Sequence, residues 1–152
     1  MKFSKKSEYG LRALIELTAQ YGKALLQRNE IAQRQKIPVE FLEQILLTLK
    51  NAGLLSSRRG VGGGYALIKS PNEISLGQVI RALDGPLAPI SCVSKTAYQK
   101  CRDCPYAKLE EHACPIQHVM LNVRNAIADI LDNYTLSDFA AKGGGLPHRH
   151  AR

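Results

Sequence analysis

The sequence predicts a mainly α-helical protein with a small β-hairpin wing and a long helix near its C-terminus. Three patterns support this fold class. Apolar residues at positions 42, 45, 46 and 49 follow the spacing of one helix face, and the glycine-rich stretch 60–64 separates two short strand-like runs. Apolar residues at positions 116, 120, 123, 127, 130 and 134 recur with a heptad-like spacing, which is typical of a helix that packs against another helix.

Capping residues mark the helices of the N-terminal half. We expect Ser4 to cap the first helix and Asn29 to cap a short second helix. Pro38 suits the first turn of a third helix, which runs from Val39 to Asn51. Gly53 then supplies the C-cap that ends this helix.

The remaining elements follow in chain order. The runs 54–59 and 65–69 are predicted strands, and Ser75 caps a helix that ends at residues 84–86. Residues 87–114 show neither helical nor strand periodicity, whereas a long helix begins at Ile116 and residues 135–138 resemble a capping box for a last short helix. The chain is therefore divided into a first domain over residues 1–86, a cysteine-containing loop over 87–115, the long and short helices over 116–140, and a disordered tail over 141–152.

Positive charge is concentrated in the first half of the chain. The formal net charge is +8, and residues 1–70 hold twelve Lys or Arg against five Glu. Such an excess suits a polyanion such as nucleic acid or an anionic lipid surface, although a merely basic surface is the alternative. The chain has no apolar run of about 18 residues that could cross a bilayer and no secretory signal pattern at its start. We therefore expect a cytoplasmic protein with no membrane partner.

A short helix, a Pro-containing turn, a second helix and a Gly-tipped basic hairpin together describe a winged helix-turn-helix. A helix fits the major groove of double-stranded DNA, while a thin hairpin tip reaches phosphates or the minor groove. Glu40 and Glu43 repel phosphates, so we interpret them as selectivity elements that accept from cytosine amino groups. The alternative is a helical domain with a solvated outer face. The predicted DNA-binding residues are Val39, Glu40, Glu43, Gln44, Arg58, Arg59, Gly60 and Gly62.

All four cysteines lie in the loop between the first domain and the long helix. They are Cys92, Cys101, Cys104 and Cys114. By spacing alone, structural zinc, an iron–sulfur cluster and a thiol–disulfide switch are all compatible with this set. His112 and His118 lie nearby as possible further ligands. Nothing in the sequence orients a nucleophile, a base and a third group together, so we do not expect an enzyme.

Five segments resemble the Rrf2 family of bacterial winged-helix transcription regulators, the group that includes IscR-, NsrR- and RirA-like proteins. They are SKKSEY at residues 4–9, IPVEFLEQI at 37–45, GLLSSRRG at 53–60, GGGY at 62–65 and TLSD at 135–138. The resemblance extends over about residues 1–140. It implies a homodimer that crosses its long C-terminal helices and binds a palindromic operator, in most cases as a repressor.

The resemblance also implies an iron–sulfur cluster, with [2Fe-2S] preferred to [4Fe-4S]. By the family pattern, Cys92 and Cys114 are the first and last cysteine ligands, and Cys101 or Cys104 takes the middle position. IscR-like members have a histidine three residues after the last cysteine. This chain has Gln117 there and His118 one residue later. Some members recruit an acidic residue near position 8 of the partner subunit, which implies Glu8 in that role as another possible ligand.

Overall fold

A computed structural model describes residues 3–106 and 114–143 and confirms the predicted fold class. The described chain is mainly helical, with one two-stranded antiparallel sheet. Its elements are α1 Lys5–Ala19, α2 Arg28–Gln35, α3 Val39–Asn51, β1 Leu55–Arg58, β2 Gly64–Leu67, α4 Leu76–Asp84, α5 Pro115–Asn133 and α6 Leu136–Gly143. Two short 3₁₀ turns lie at Pro71–Glu73 and Ser91–Val93.

The apolar stripe of α3 forms the centre of the core. Leu42, Ile45, Leu46 and Leu49 are all completely inaccessible to solvent, as the helical spacing of these residues predicts. Around them α3 packs against α1, α2, α4 and β1. The helix also has the bounds that the sequence predicts, Val39 to Asn51.

Most predicted helix starts are confirmed, and one is wrong. The Ser4 hydroxyl accepts the Ser7 amide at 3.2 Å, and Ser75 caps α4 in the same way by accepting the amide of residue 78. The predicted cap at Asn29 is wrong, because α2 already begins at Arg28 and Gln27 is its N-cap. The Gln27 amide donates to the Glu30 carboxylate at 3.1 Å, which satisfies a backbone group that the helix itself leaves unpaired.

The hairpin is attached to the rest of the domain along one strand. β1 and β2 pair from Leu55 opposite Leu67 to Arg58 opposite Gly64, and both strands are slightly shorter than the sequence predicts. Leu26, which precedes α2, exchanges two backbone hydrogen bonds with Tyr65 at 3.1 and 2.8 Å. This bridge holds the base of the hairpin against the start of α2.

Helices α4 and α5 are joined by a bidentate ion pair. The Arg81 guanidinium donates to both oxygens of Asp132, at 2.6 and 2.9 Å. A side chain at Gly77 would collide with the Asp132 carboxylate, so the absence of a Cβ there lets the two helices approach. The pair holds down the pKa of Asp132, chiefly through the hydrogen bond from Arg81.

The last helix returns to the first domain. The Leu136 amide donates to the carbonyl of Ile74 at 2.9 Å, and its side chain is 1% exposed within the same core as α3. The predicted capping box is confirmed, since the amide of Thr135 donates to the Asp138 carboxylate at 2.9 Å. Helix α6 extends to Gly143, beyond the predicted end at residue 140. The first three residues of the predicted disordered tail over 141–152 are therefore helical, while the rest of that tail, 144–152, and the loop residues 107–113 lie outside the described residues.

Among the described helices, none combines the length and the apolar character that a bilayer crossing requires.

Leu46 and Leu47 are adjacent on α3 but differ completely in burial, which provides a matched test of the core. Leu46→Ala should lower the free energy of unfolding by about 2–5 kcal/mol, because a fully buried side chain leaves a cavity. Leu47→Ala, at a side chain that is 48% exposed, should change it by about 0.5 kcal/mol or less. Urea unfolding followed by circular dichroism measures both. Equal destabilisation by the two substitutions would contradict the orientation of α3.

Candidate nucleic-acid interface and cysteine cluster

The outer face of α3 presents the residues that the sequence assigns to DNA contact. Val39, Glu40, Glu43 and Gln44 are all exposed. A left-handed residue at Lys36, with φ of 51°, makes the tight connection between α2 and α3. The turn and the buried stripe together determine which face of α3 is available to a partner.

The carboxylate of Glu43 forms an ion pair with an arginine of the preceding helix. Nη1 of Arg28 lies 2.7 Å from Oε2 of Glu43. Arg28 is the first residue of α2, and both side chains remain substantially exposed. The pair therefore offsets one of the negative charges that α3 turns outward. Sequence reasoning missed Arg28, because no local pattern links it to a residue on the next helix.

The wing, defined here as β1, β2 and residues 59–63, is shaped by its glycines and by Arg58. Gly60 and Gly62 have φ of 91° and 71°, the left-handed conformation that glycine adopts without strain. A Cβ at Gly63 would collide with the Arg58 carbonyl. The Arg58 guanidinium donates to the Gly62 carbonyl at 3.0 Å, so this arginine stabilises the turn, while Arg59 is exposed beside the tip.

The wing tip carries an apolar side chain, and its base forms a cleft with α2. Val61 is fully exposed between the two left-handed glycines, a position that sequence reasoning did not single out. The cleft has a volume of about 400 Å³, and Arg28, Arg58 and Arg59 are among its lining residues. A cleft lined by three arginine residues suits an anionic ligand such as a phosphate.

The four cysteines are held at both ends of their loop. Cys92 lies in the 3₁₀ turn Ser91–Val93, and Cys114 is the N-cap residue of α5. Both are half-buried, as is Cys104, whereas Cys101 is exposed. All four are free thiols.

The thiols converge around Cys101. The pKa of Cys101 is raised, first by a hydrogen bond with Cys92 and then by the charge of Cys92, by desolvation and by the charge of Cys114, while a hydrogen bond with Cys104 acts in the opposite direction. Four thiol groups are a donor set that zinc and iron–sulfur clusters use, so the residues fit such a group chemically. Within the described ranges, however, no three potential ligands have an arrangement that already matches a metal site.

The other candidate ligands lie at different places. The side chain of Gln117 donates to the Cys92 carbonyl at 3.1 Å and thereby holds the first cysteine against α5. His118 is exposed in the first turn of α5. Glu8 lies on α1, where Lys5 pairs with it at 2.7 Å and lowers its pKa through that hydrogen bond. His112 lies outside the described residues.

The face of α5 that points away from α4 is apolar and uncovered. Ile116 is 62% exposed and Ile130 is 60% exposed, and Val119, Val123 and Tyr134 are exposed along the same helix. These side chains include most of the heptad-like series that the sequence predicts. A continuous apolar stripe of this kind is typical of a surface that another protein covers.

Comparison with known proteins identifies the family. The family model Rrf2, described as iron-dependent transcriptional regulator, matches residues 3–142. A Rhodobacter capsulatus protein described as an HTH-type, rrf2-like transcriptional regulator is 41% identical over 92% of this chain and 93% of its own length. The structure of CymR, titled the global cysteine regulator of B. subtilis, is 34% identical with a TM-score of 0.73, and covers 93% of this chain and 97% of its own.

A second solved structure, of a relative named IscR, is also similar to this chain. IscR of T. potens is 28% identical to this chain with a TM-score of 0.72, over 98% of this chain and 94% of its own. The matches cover the whole described structure and are to transcriptional regulators, not to enzymes. The chain therefore belongs to the Rrf2 family of DNA-binding transcriptional regulators.

Proposed function

We propose that the protein is a homodimeric repressor that binds an inverted-repeat operator and whose DNA affinity is controlled by an iron–sulfur cluster on its cysteines. The observation that carries this proposal is the grouping of the cysteines between the turn at Ser91–Val93 and the N-cap of α5, the helix whose uncovered face provides a dimer surface. Helix α5 packs against α4, and α4 packs against the reading helix α3, so one chain carries both parts of a sensor.

Helix α3 and the wing contact different grooves of the duplex. Helix α3 enters the major groove with Val39, Glu40, Glu43 and Gln44, because these side chains are exposed on its outer face. The wing reaches the adjacent backbone and minor groove. Its predicted contacts are Arg58, Arg59, Gly60 and Gly62. Arg59 is the stronger candidate of the two arginines, since Arg58 is bonded within the turn.

The dimer surface is the uncovered stripe of α5. Crossing two copies of this helix would bury Ile116, Val123 and Ile130, which are exposed in one chain. A two-fold dimer places its two reading helices about 34–36 Å apart, one turn of the DNA helix. This arrangement matches an operator with two inverted half-sites.

The cluster would be held by Cys92, Cys101 and Cys114, with Cys104, His118 or Glu8 as further ligands. A bound cluster supplies redox and ligand-exchange chemistry that responds to iron, oxygen or nitric oxide. Cys101 is the best middle ligand, because the thiols of Cys92 and Cys114 both act on its pKa. Both thiols at the ends of the loop lie against α5, Cys92 through Gln117 and Cys114 as the helix cap.

A continuous path leads from the cysteines to α3. Gln117 binds the Cys92 loop to α5, the ion pair between Arg81 and Asp132 joins α5 to α4, and α4 packs against α1 and α3. A change in the loop can therefore alter the position of the reading helices in the dimer. Control by the cluster requires that the loaded and cluster-free proteins differ in operator affinity.

A thiol–disulfide switch is the second candidate function. The contacts of Cys101 with Cys92 and with Cys104 favour it, since two adjacent thiols form a disulfide by giving two protons and two electrons to an oxidant. The raised pKa of Cys101 opposes it, because the thiolate is the reactive form. Protein purified without oxygen distinguishes the candidates. A cluster gives visible absorption with iron and sulfide, whereas structural zinc and a dithiol are colourless.

Arg59→Ala should weaken operator binding by about 1–3 kcal/mol and relax sequence preference, because the side chain adjoins the wing tip. Fluorescence anisotropy with a labelled operator measures the affinity. Lys142→Ala is the control, since it removes one positive charge near the end of α6, away from the wing and from the cysteines in the sequence. If both variants bind like the wild type, the assignment of the wing is wrong.

Val123→Glu should convert the dimer into a monomer, because it places a charge in the apolar stripe of α5. Asn122→Glu, at the neighbouring exposed position, should leave the dimer intact. Sedimentation velocity at micromolar concentration compares the two variants. A dimer that survives Val123→Glu and also further substitution of Ile130 would exclude this surface.

Cys92→Ala and Cys114→Ala should each lose bound iron and sulfide, because these residues bracket the loop. Cys101→Ala should lose more than Cys104→Ala, since Cys101 is the thiol at which the others converge. Metal and sulfide analysis of protein prepared without oxygen gives the occupancy, and operator affinity is measured beside it. Full occupancy in Cys92→Ala or Cys114→Ala would refute the ligand assignment.

A further inference from the structure

We infer that Arg28 controls the base selectivity of Glu43 by exchanging that carboxylate for a DNA backbone phosphate when the protein binds its operator. The inference rests on the proposed DNA binding and assigns a role to a residue outside the predicted reading set. Arg28 would be a positioning residue, since it acts on base readout through Glu43.

The ion pair between Arg28 and Glu43 is suited to exchange. It is a single contact of 2.7 Å, between Nη1 and Oε2, and the side chains are 37% and 52% exposed. Exposed pairs of this kind contribute little to stability. The guanidinium therefore leaves the carboxylate at little cost when another anion comes within reach.

Arg28 lies at the place where such an anion arrives. Its side chain lines the cleft between α2 and the wing together with Arg58 and Arg59. Helix α3 reads the major groove and the wing lies toward the minor groove, so the sugar–phosphate backbone that separates the two grooves passes between them. A phosphate in this cleft meets guanidinium groups, which bind phosphate through charge-assisted hydrogen bonds.

The exchange makes Glu43 selective. While paired, its carboxylate is partly neutralised and has little influence on the choice of sequence. Once Arg28 turns to a phosphate, the carboxylate faces the bases unpaired, which is favourable only where it accepts from a donor such as the amino group of cytosine. Binding to the backbone and reading of the base are therefore coupled through one arginine.

Arg34 on the same helix provides a matched control. It is also an arginine paired with glutamates, at 3.4 Å from Glu16 and 3.7 Å from Glu30, and it is similarly exposed. Its partners lie on α1 and on α2 itself, and it is not among the residues that line the cleft. Loss of Arg34 removes the same charge from the same helix without touching Glu43.

The experiment is a double-mutant cycle on the full-length protein with Arg28→Ala, Glu43→Gln and both together. A duplex selected from a random pool by the wild-type protein is the probe, alongside duplexes in which each cytosine facing α3 is replaced. Affinity is measured over a series of salt concentrations. Arg28→Lys, which retains the charge, and Arg34→Ala complete the set, and circular dichroism establishes that each variant is folded.

Arg28→Ala should make the fall of log affinity with log salt shallower by about 0.9, the value for one phosphate contact, whereas Arg28→Lys should retain the wild-type slope. Arg28→Ala should also raise discrimination at the cytosine by about two- to fivefold, because on a duplex that lacks this cytosine Glu43 can no longer return to its ion pair. In the Glu43→Gln background the salt effect should persist and the change in discrimination should vanish.

Three results would overturn the inference. Either an unchanged salt slope in Arg28→Ala, or an altered slope with discrimination identical to that of the wild type, excludes the exchange. The same changes in Arg34→Ala would show a general charge effect and exclude it as well. If the protein does not bind DNA as proposed, the wild-type protein and Arg34→Ala will both select no duplex. That result would contradict the proposed function and the inference together.

Discussion

Burial of one face of α3 is the constraint on which the rest of the structure depends. Leu42, Ile45, Leu46 and Leu49 are inaccessible to solvent, and four other elements pack around them. Side-chain directions along a helix are determined by its period, so burial of this stripe also determines the rotation of α3 about its axis. The outer face, with Glu43 among its residues, is exposed as a direct consequence. The wing is oriented by the same core through its buried strand residues.

A second set of contacts, between α4 and α5, connects the cysteine-containing loop to that core. The ends of α4 and α5 meet in a backbone bridge between Ser75 and Thr135, and the bidentate pair of Arg81 with Asp132 sets their separation. Because the ion pair is partly exposed, it orients α4 and α5 relative to each other more than it stabilises the fold. Helix α5 also holds the Cys92 loop through Gln117, so a series of contacts connects this loop through α5 and α4 to α3.

The charges of the reading surface show why composition alone describes this protein incompletely. The first half of the chain has a large excess of positive charge, yet its arginines have different tasks. Arg58 is bonded to the wing turn and Arg28 to a glutamate, while Arg59 is exposed beside the tip. The excess of charge alone therefore does not show which arginine is available to an anion. The negative charge of Glu43 on the outer face of α3 is offset because Arg28 is within reach.

The sequence by itself determined the helical and hairpin elements, the stripe of α3, the caps at Ser4 and Ser75 and the grouping of the cysteines in one loop, since periodicity and capping act within a few residues. Tertiary structure decided what depends on distant partners. Helix α2 starts at Arg28 because the bridge between Leu26 and Tyr65 keeps the preceding residue extended. Leu136 joins the first domain's core, Arg28 meets Glu43, and the thiols at the two ends of the loop converge. These contacts arise when separate elements pack together, and no local pattern encodes them.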